Sequence, residues 1–388
     1  MAASSRPLRV LELRTVRGTG GGPEKTILLG TARTDRSRYE VTVCYIRDER
    51  DSIFQVDKRA DGLPVDYVEI RERHSLDRSI WPSLRALVRK RRIDLVHAHD
   101  YKTDLLAWML GKREGVIPMA TAHGWTGHSS RERLVYYPAD RWILARLPYV
   151  VAVSSDVRHT LLRAGARSDR VGVVLNGIDP VVFRRDPGRV NDARARWSVG
   201  PADIVIGAVG RLEPQKRFDL LITAFARIAL AHPRATLLIA GDGSQRDSLT
   251  GQIAACGLER RCRLLGHVED IRMLHHAFNV FAQSSTYEGT PNAVLEAMAL
   301  ETSIVATEAG GTAELARHDI EAIIVPAEDE AALAAGLDRA LRDCSATAAR
   351  TRAARARVEG ELSFETRMKR VERVYDQLQA GRGEGRPQ

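Results

Sequence analysis

Three stretches of the sequence carry side chains suited to releasing a diphosphate. Gly210-Arg-Leu-Glu-Pro-Gln-Lys216 combines a rigid guanidinium fork, Arg211, with a mobile ammonium, Lys216. Two such cations neutralise a pyrophosphate without a metal ion, although charged side chains on a surface would read the same way. Tyr287-Glu-Gly-Thr-Pro-Asn-Ala-Val-Leu-Glu-Ala-Met298 puts Glu288 in a loop and Glu296 about two turns into the helix that Pro291 opens. The loop carboxylate can accept hydrogen bonds from sugar hydroxyls, and the helical one can hold a ribose diol. A glutamate on such a helix is ordinarily exposed. Gly18-Thr-Gly-Gly-Gly-Pro-Glu-Lys25 is either a phosphate cradle at the head of a helix or a flexible turn. It is no dinucleotide fingerprint, because Pro23 stands where the third glycine would fall.

Three histidines follow strands: His97 and His99 in one segment, and His123 in Thr121-Ala-His-Gly-Trp-Thr126. Such residues are structural hydrogen-bonders, or metal ligands if a carboxylate such as Asp100 joins them. No HxxxH or HExxH spacing supports a metal, and none is expected. A further glycine turn, Thr307-Glu-Ala-Gly-Gly-Thr312, is suited to lining the same cleft.

The elements that must position these residues are repeated βα units. Short Val/Ile/Leu-rich runs alternate with segments of helical period, the pattern of parallel sheets buried on both faces. Strands are expected at 9–15, 40–46, 65–70, 93–99, 118–124, 149–154 and 171–176. A second set follows at 204–210, 235–240, 262–266, 280–285, 303–307 and 321–325. Breaker residues between Asn176 and Gly200 mark the best boundary. The expected organisation is a Rossmann-like domain at 1–187, a second at 188–362, a helix at 363–380 crossing back to the first, and a disordered tail at 381–388. Ligands of doubly wound sheets bind at the carboxyl ends of strands, here in a cleft shared by the two domains.

The 388 residues suit two cores better than one. Apolar residues at 44% and charged residues at 28% are ordinary soluble usage, and no apolar run approaches the roughly 18 residues that would span a bilayer. The first ten residues do not read as a secretory signal, so the expected location is cytoplasmic, with a peripheral position at the inner face of the membrane left open. Cys44, Cys256, Cys262 and Cys344 lack metal or disulfide spacing. Of the +9 net charge, residues 1–190 hold 34 Lys+Arg against 23 Asp+Glu, leaving 25 against 27 beyond. The basic half fits either an anionic partner or an arginine-rich solvated surface. The segment Ile80 to Arg92 is likewise either a core-packing helix or one resting on an anionic membrane. No helix-turn-helix, zinc or RNP-like motif points to nucleic acid.

These residues resemble those of retaining glycosyltransferase family 4, of the GT-B fold. The likeness runs from Gly20-Gly-Gly22 through His123, Val153-Ser-Ser155, Asn176-Gly-Ile-Asp179, Gly210-Arg211 with Lys216, Gly241-Asp-Gly243 and Gly266-His-Val268 to Glu288–Met298 and Gly310-Gly311. The most specific part is Glu, seven residues, Glu, with Gly289 after the first and Ala-Met after the second. The resemblance implies that Arg211 and Lys216 hold the donor diphosphate beside Gly210, and that Glu288 contacts the transferred sugar. It also implies that Glu296 holds the ribose, Val268 faces the base, Gly21 and Gly22 lie near the phosphates, and His123 sits at the sugar. Gly289, Thr290, Pro291 and Asn292 complete the donor loop. The chain departs from the pattern at Arg217, where such enzymes often carry glycine, and at Arg38-Tyr39, where they have Gly-His.

The implied activity is metal-independent, cofactor-free transfer of a hexose-type sugar from a nucleoside diphosphate sugar to a hydroxyl of a saccharide or lipid-linked acceptor. Polysaccharide or glycolipid synthesis is the implied setting. Cations on the departing diphosphate would stabilise the transition state most directly. Retention in a hydrolase uses two carboxylates about 5 Å apart. Here the resemblance instead implies front-face attack assisted by the leaving phosphate. A nucleotide-sugar epimerase of the same architecture is the alternative reading.

Overall fold

A computed structural model describes residues 6–18, 20–125 and 131–384. The chain folds as two units, residues 6–176 with 364–384, and residues 177–363. The division falls after Asn176, not at 187, because the intervening segment is tied into the second unit. Ile178 N donates to Leu362 O at 2.9 Å, and the Arg355 guanidinium donates to the carbonyls of Pro180 and Phe183.

The first unit holds a parallel seven-stranded sheet: β1 Leu8–Val16, β2 Tyr39–Asp48, β3 Asp66–Glu72, β4 Leu95–Ala98, β5 Ile117–Ala122, β6 Tyr149–Ala152 and β7 Val171–Val173. The spatial order is β3-β2-β1-β4-β5-β6-β7. The second unit has six parallel strands: β8 Ile204–Val209, β9 Ala235–Ala240, β10 Cys262–Gly266, β11 Val280–Gln283, β12 Ser303–Thr307 and β13 Ile323–Val325. Their order is β10-β9-β8-β11-β12-β13. Every expected strand is present, but several stop short of the sequence estimate. The polar residues at those ends belong to helix caps: Asp100 accepts from the amides of Lys102 and Thr103, and Ser154 accepts from Val157 N.

Both sheets are apolar on both faces. In the first unit Leu11, Leu13, Leu84 and Val96 pack on one side. On the other, Val10, Leu95, Met119 and Val151 pack against Met368, Val371 and Tyr375 of the helix Phe364–Glu384. That helix runs through residues 381–384, which the sequence reading assigned to a disordered tail. Arg382 donates to Gly115 O at 2.5 Å and holds the last turn; residues 385–388 lie outside the described residues. In the second unit Phe218–Ala229 buries Leu221, Ile222 and Phe225 with Leu237, Ile239 and Leu337.

The helix Ile80–Arg91 packs on the core through Ile80, Leu84 and Val88. On its basic side Arg85 and Arg89 both pair with Glu114, and Arg91 with Asp66. Among the described residues no helix is long and apolar enough to cross a membrane. All four cysteines are free, with Cys44 and Cys262 buried.

Candidate active site

In each unit the strand order reverses once, at β1/β4 and at β8/β11. The loops beyond those paired ends diverge and leave room for a ligand. All but one of the singled-out residues lie at or beside these two points. Val268 stands apart, half-buried between β10 and the helix Ile271–Ala277.

In the second unit the chain leaves β8 through Gly210 and Arg211, and a short turn over Pro214–Lys216 presents Lys216. Lys216 Nζ lies 2.5 Å from Glu288 Oε1, and the Ser285 hydroxyl donates to the same oxygen at 2.7 Å. Glu288 Oε2 takes no hydrogen bond among the described residues. The two loops are stitched together by Ser284 Oγ donating to Lys216 O at 2.8 Å and Thr286 N donating to Gln215 O at 2.9 Å. Arg211 is exposed and makes no ion pair among the described residues.

Two glycines make this packing feasible. A Cβ on Gly241, at φ +140°, would stand 1.8 Å from Gly210 O. A Cβ on Gly310, at φ +53°, would stand 1.8 Å from Glu288 O. The β12 loop thus presses on the backbone of Glu288, and Gly311 N donates to Gly289 O at 3.0 Å. Arg217 sits in the left-handed region at φ 48°, which accounts for glycine at this point in similar proteins. Here the arginine is held there by pairing with Asp219 and Glu328.

Past Glu288, Gly289 is partly exposed, Thr290 and Pro291 are buried, and Asn292 opens the helix Asn292–Ala299. Glu296 is its fifth residue. At 3.6 residues per turn it stands a little over one turn in, not two. It is also buried, against the expectation of exposure, on a helix otherwise packed through Val294, Leu295 and Met298.

In the first unit Gly21 caps the helix Gly22–Thr31, but its amide already donates to Glu24 Oε2 at 2.6 Å. Burial opposes the Glu24 charge, and the Arg14 guanidinium, 2.5 Å from Oε1, outweighs burial and lowers the pKa. A carboxylate therefore occupies the amide expected to face a phosphate. Thr19 of this loop and Thr126 of the histidine motif lie outside the described residues.

His123 follows β5 and is partly buried, with Nε2 3.3 Å from His99 Nδ1. His99 Nε2 is hydrogen-bonded to Glu12 Oε2. His97 Nδ1 lies 3.2 Å from Glu12 Oε1, and its Nε2 lies 2.7 Å from Thr121 Oγ1. Burial and then the field of Arg14 hold His123 well below the usual histidine range.

The carboxylate that joins His97 and His99 is Glu12, not Asp100. Asp100 caps the helix Tyr101–Glu114 and accepts from Thr15 N at 2.7 Å. Donor atoms of Glu12, His97 and His99 lie within 4.8 Å of one another, close enough for a cation. They are spent instead on each other, on Thr121 and on Tyr375.

Sequence reasoning missed Glu12, Arg14 and Glu24, along with Tyr375 and Arg367, which arrive from the far end of the chain. Glu12 and Arg14 did leave a signal, as charges inside an apolar run of the kind that forms a buried parallel strand.

The family described as Glycosyltransferase Family 4 matches residues 20–182, and Glycosyl transferases group 1 matches residues 191–357. A glycogen synthase of Mycobacterium tuberculosis is 30% identical over 309 residues, covering 76% of this chain and 71% of that protein. The lipopolysaccharide core biosynthesis mannosyltransferase LpcC of Rhizobium leguminosarum is 26% identical over 329 residues, covering 82% and 86%. The crystal structure of Anabaena Alr3699/HepE in complex with UDP-glucose superposes with a TM-score of 0.82 at 23% identity, covering 95% of this chain and 100% of that one. The shared fold is GT-B. The epimerase reading finds no support in these matches.

Proposed function

Because this chain belongs to the group 1 glycosyl transferases, we propose that it moves a hexose-type sugar, with retention and without a metal ion, from a nucleoside diphosphate sugar to a hydroxyl acceptor. A saccharide or lipid-linked acceptor in polysaccharide or glycolipid assembly fits the mannosyltransferase and glycogen synthase relatives.

The observation that carries this reading is the contact between Lys216 and Glu288 at the β8/β11 switch point, 2.5 Å long, on the loops that also carry Arg211, which makes no ion pair among the described residues. A diphosphate entering there replaces Glu288 as the partner of Lys216. The freed carboxylate, still held by Ser285, then accepts from the hydroxyls of the sugar. Arg211 and Lys216 together hold the negative charge that grows as the sugar–phosphate bond breaks. The buried Glu296 holds the ribose, Gly210 and the Gly289–Asn292 turn shape the donor loop, and Val268 borders the base. In the first unit Gly21 and Gly22 lie near the phosphates once Glu24 yields, and His123 meets the sugar. Attack comes from the face the diphosphate leaves, with a phosphate oxygen taking the acceptor proton. Glu288 serves as a hydroxyl binder and not as a nucleophile.

A donor panel scored by thermal shift tests the reading, since ligand at about 100 times its Kd adds roughly 2.7 kcal/mol. Wild type should be stabilised by one nucleoside diphosphate sugar, and Lys216→Ala and Glu288→Ala should lose that shift. Proton NMR of the product should show the donor's anomeric configuration, in chelator as in buffer. Inverted product, or activity abolished by chelator and restored by magnesium, would defeat the proposal.

A further inference from the structure

Glu12, His97, His99 and His123 form a chain of hydrogen bonds inside the first unit, and the charge on Glu12 sets the protons along its His99–His123 arm. Burial opposes the Glu12 charge, but the imidazoles of His97 and His99 more than offset it and hold the carboxyl well below its usual range. An ionised carboxylate only accepts. Tyr375 therefore donates its hydroxyl hydrogen to Oε1 at 2.8 Å. His97 Nδ1 lies 3.2 Å from the same oxygen and 2.9 Å from the Tyr375 hydroxyl, and its Nε2 lies 2.7 Å from Thr121 Oγ1.

On the other side, His99 must carry its proton on Nε2, which faces Glu12 Oε2. Burial, then the neighbouring His97, push His99 down to about 4, so near neutral pH the ring is uncharged and its Nδ1 is a bare acceptor. The atom that meets this lone pair is Nε2 of His123. Two bare nitrogens would repel each other, so Nε2 of His123 is protonated. His123 is neutral as well, which leaves its Nδ1 without a proton. That nitrogen takes no partner among the described residues. Arg14 from β1, itself paired with Glu24, and the buried Arg367 from the helix Phe364–Glu384 both disfavour a positive charge on His123.

We infer that Glu12 and His99 are positioning residues that lock His123 in the Nε2–H tautomer, so that its Nδ1 accepts a hydrogen bond from a hydroxyl of the transferred sugar. The inference rests on the reading of His123 as the residue at that sugar. A donor must then present a free hydroxyl at this point. A deoxy analogue leaves the lone pair unpaired and is rejected, because sites built to bond a hydroxyl discriminate strongly against its absence.

The test is long-range 15N–1H NMR on the full chain carrying 15N-histidine, with His123 assigned from the spectrum of His123→Ala. Wild type at neutral pH should show Nε2 protonated and Nδ1 bare. His99→Phe should mix the two tautomers and lower kcat/KM about tenfold, near the value of one hydrogen bond. Affinity for the nucleoside diphosphate of the donor that the panel identifies should not move. His99→Gln, whose amide oxygen can accept from His123, should restore both the tautomer and most of the activity. A proton on His123 Nδ1 in wild type overturns the inference, and so does an unmixed tautomer in folded His99→Phe. If the lock is observed while His123→Ala keeps full activity, the contact with the sugar is refuted and His123 loses its place in the proposed function.

Discussion

The two switch points hold their ionisable groups under opposite conditions. At β8/β11 the charged groups sit near the surface, with Lys216 and Glu288 partly exposed and Arg211 open to solvent. At β1/β4 the ionisable groups are buried and bonded to one another, and Glu12, His97 and His99 are almost wholly enclosed. A cation that must meet an arriving diphosphate has to stay hydrated and exchangeable, because an unpaired buried charge is costly. A histidine that must offer one defined lone pair needs the reverse, a dry and saturated surround that leaves only one proton arrangement. Two units of one architecture thus place charge where it can move in one case and fix protons where they cannot in the other.

The comparison breaks most directly if the exposed side is not the electrostatic one. Lys216→Ala and Arg211→Ala should each lower kcat by about 10²- to 10³-fold, the scale for removing one preorganised donor at a developing charge. Steady-state kinetics that show less than tenfold for both would move the diphosphate elsewhere. Next, Glu12→Gln should destabilise the first unit by about 3 kcal/mol, as expected when one member of a buried charged network is removed. Urea unfolding followed by tryptophan fluorescence reads this unit selectively, since Trp81, Trp108, Trp125 and Trp142 lie in it and only Trp197 lies in the other.

Acid sharpens the contrast. A histidine whose folded pKa is depressed binds fewer protons folded than unfolded, so stability is lost as pH falls from the unfolded value toward the folded one. For His99, with a folded value of about 4, the loss runs from about pH 6.5 down to about pH 4 and amounts to at most about 3 kcal/mol. Repeating the urea series across that window should show the slope in wild type and a flatter line in His99→Gln.

Gly310→Ala should cost about 1–3 kcal/mol, because its Cβ would meet Glu288 O. The Glu288 carboxylate should shift with the backbone, and calorimetry with donor titration would register both effects. The smallest change is Arg217→Gly. Relief of a left-handed residue is worth about 1 kcal/mol, and the lost surface pairs with Asp219 and Glu328 about 0–1 kcal/mol. Stability should therefore move by under about 1 kcal/mol, with activity unchanged. A large loss would mean that this arginine, unlike glycine at the same point, takes part in binding.

The sequence by itself determined the thirteen strands, the two parallel sheets and the motif loops. Those signals are local: period, turn residues and the spacing of Arg211, Lys216, Glu288 and Glu296 along one stretch of chain. It did not show that Glu288 rests on Lys216, 72 residues away, or that Gly310 must be small to admit the Glu288 carbonyl. Nor did it join Glu12 to His97 and His99 across 85 and 87 residues, or to Tyr375 across 363. Only the order of the strands and the return of the last helix decided those pairs. Hydrogen bonds and burial depend on distance in space, and a linear pattern carries distance only along the chain.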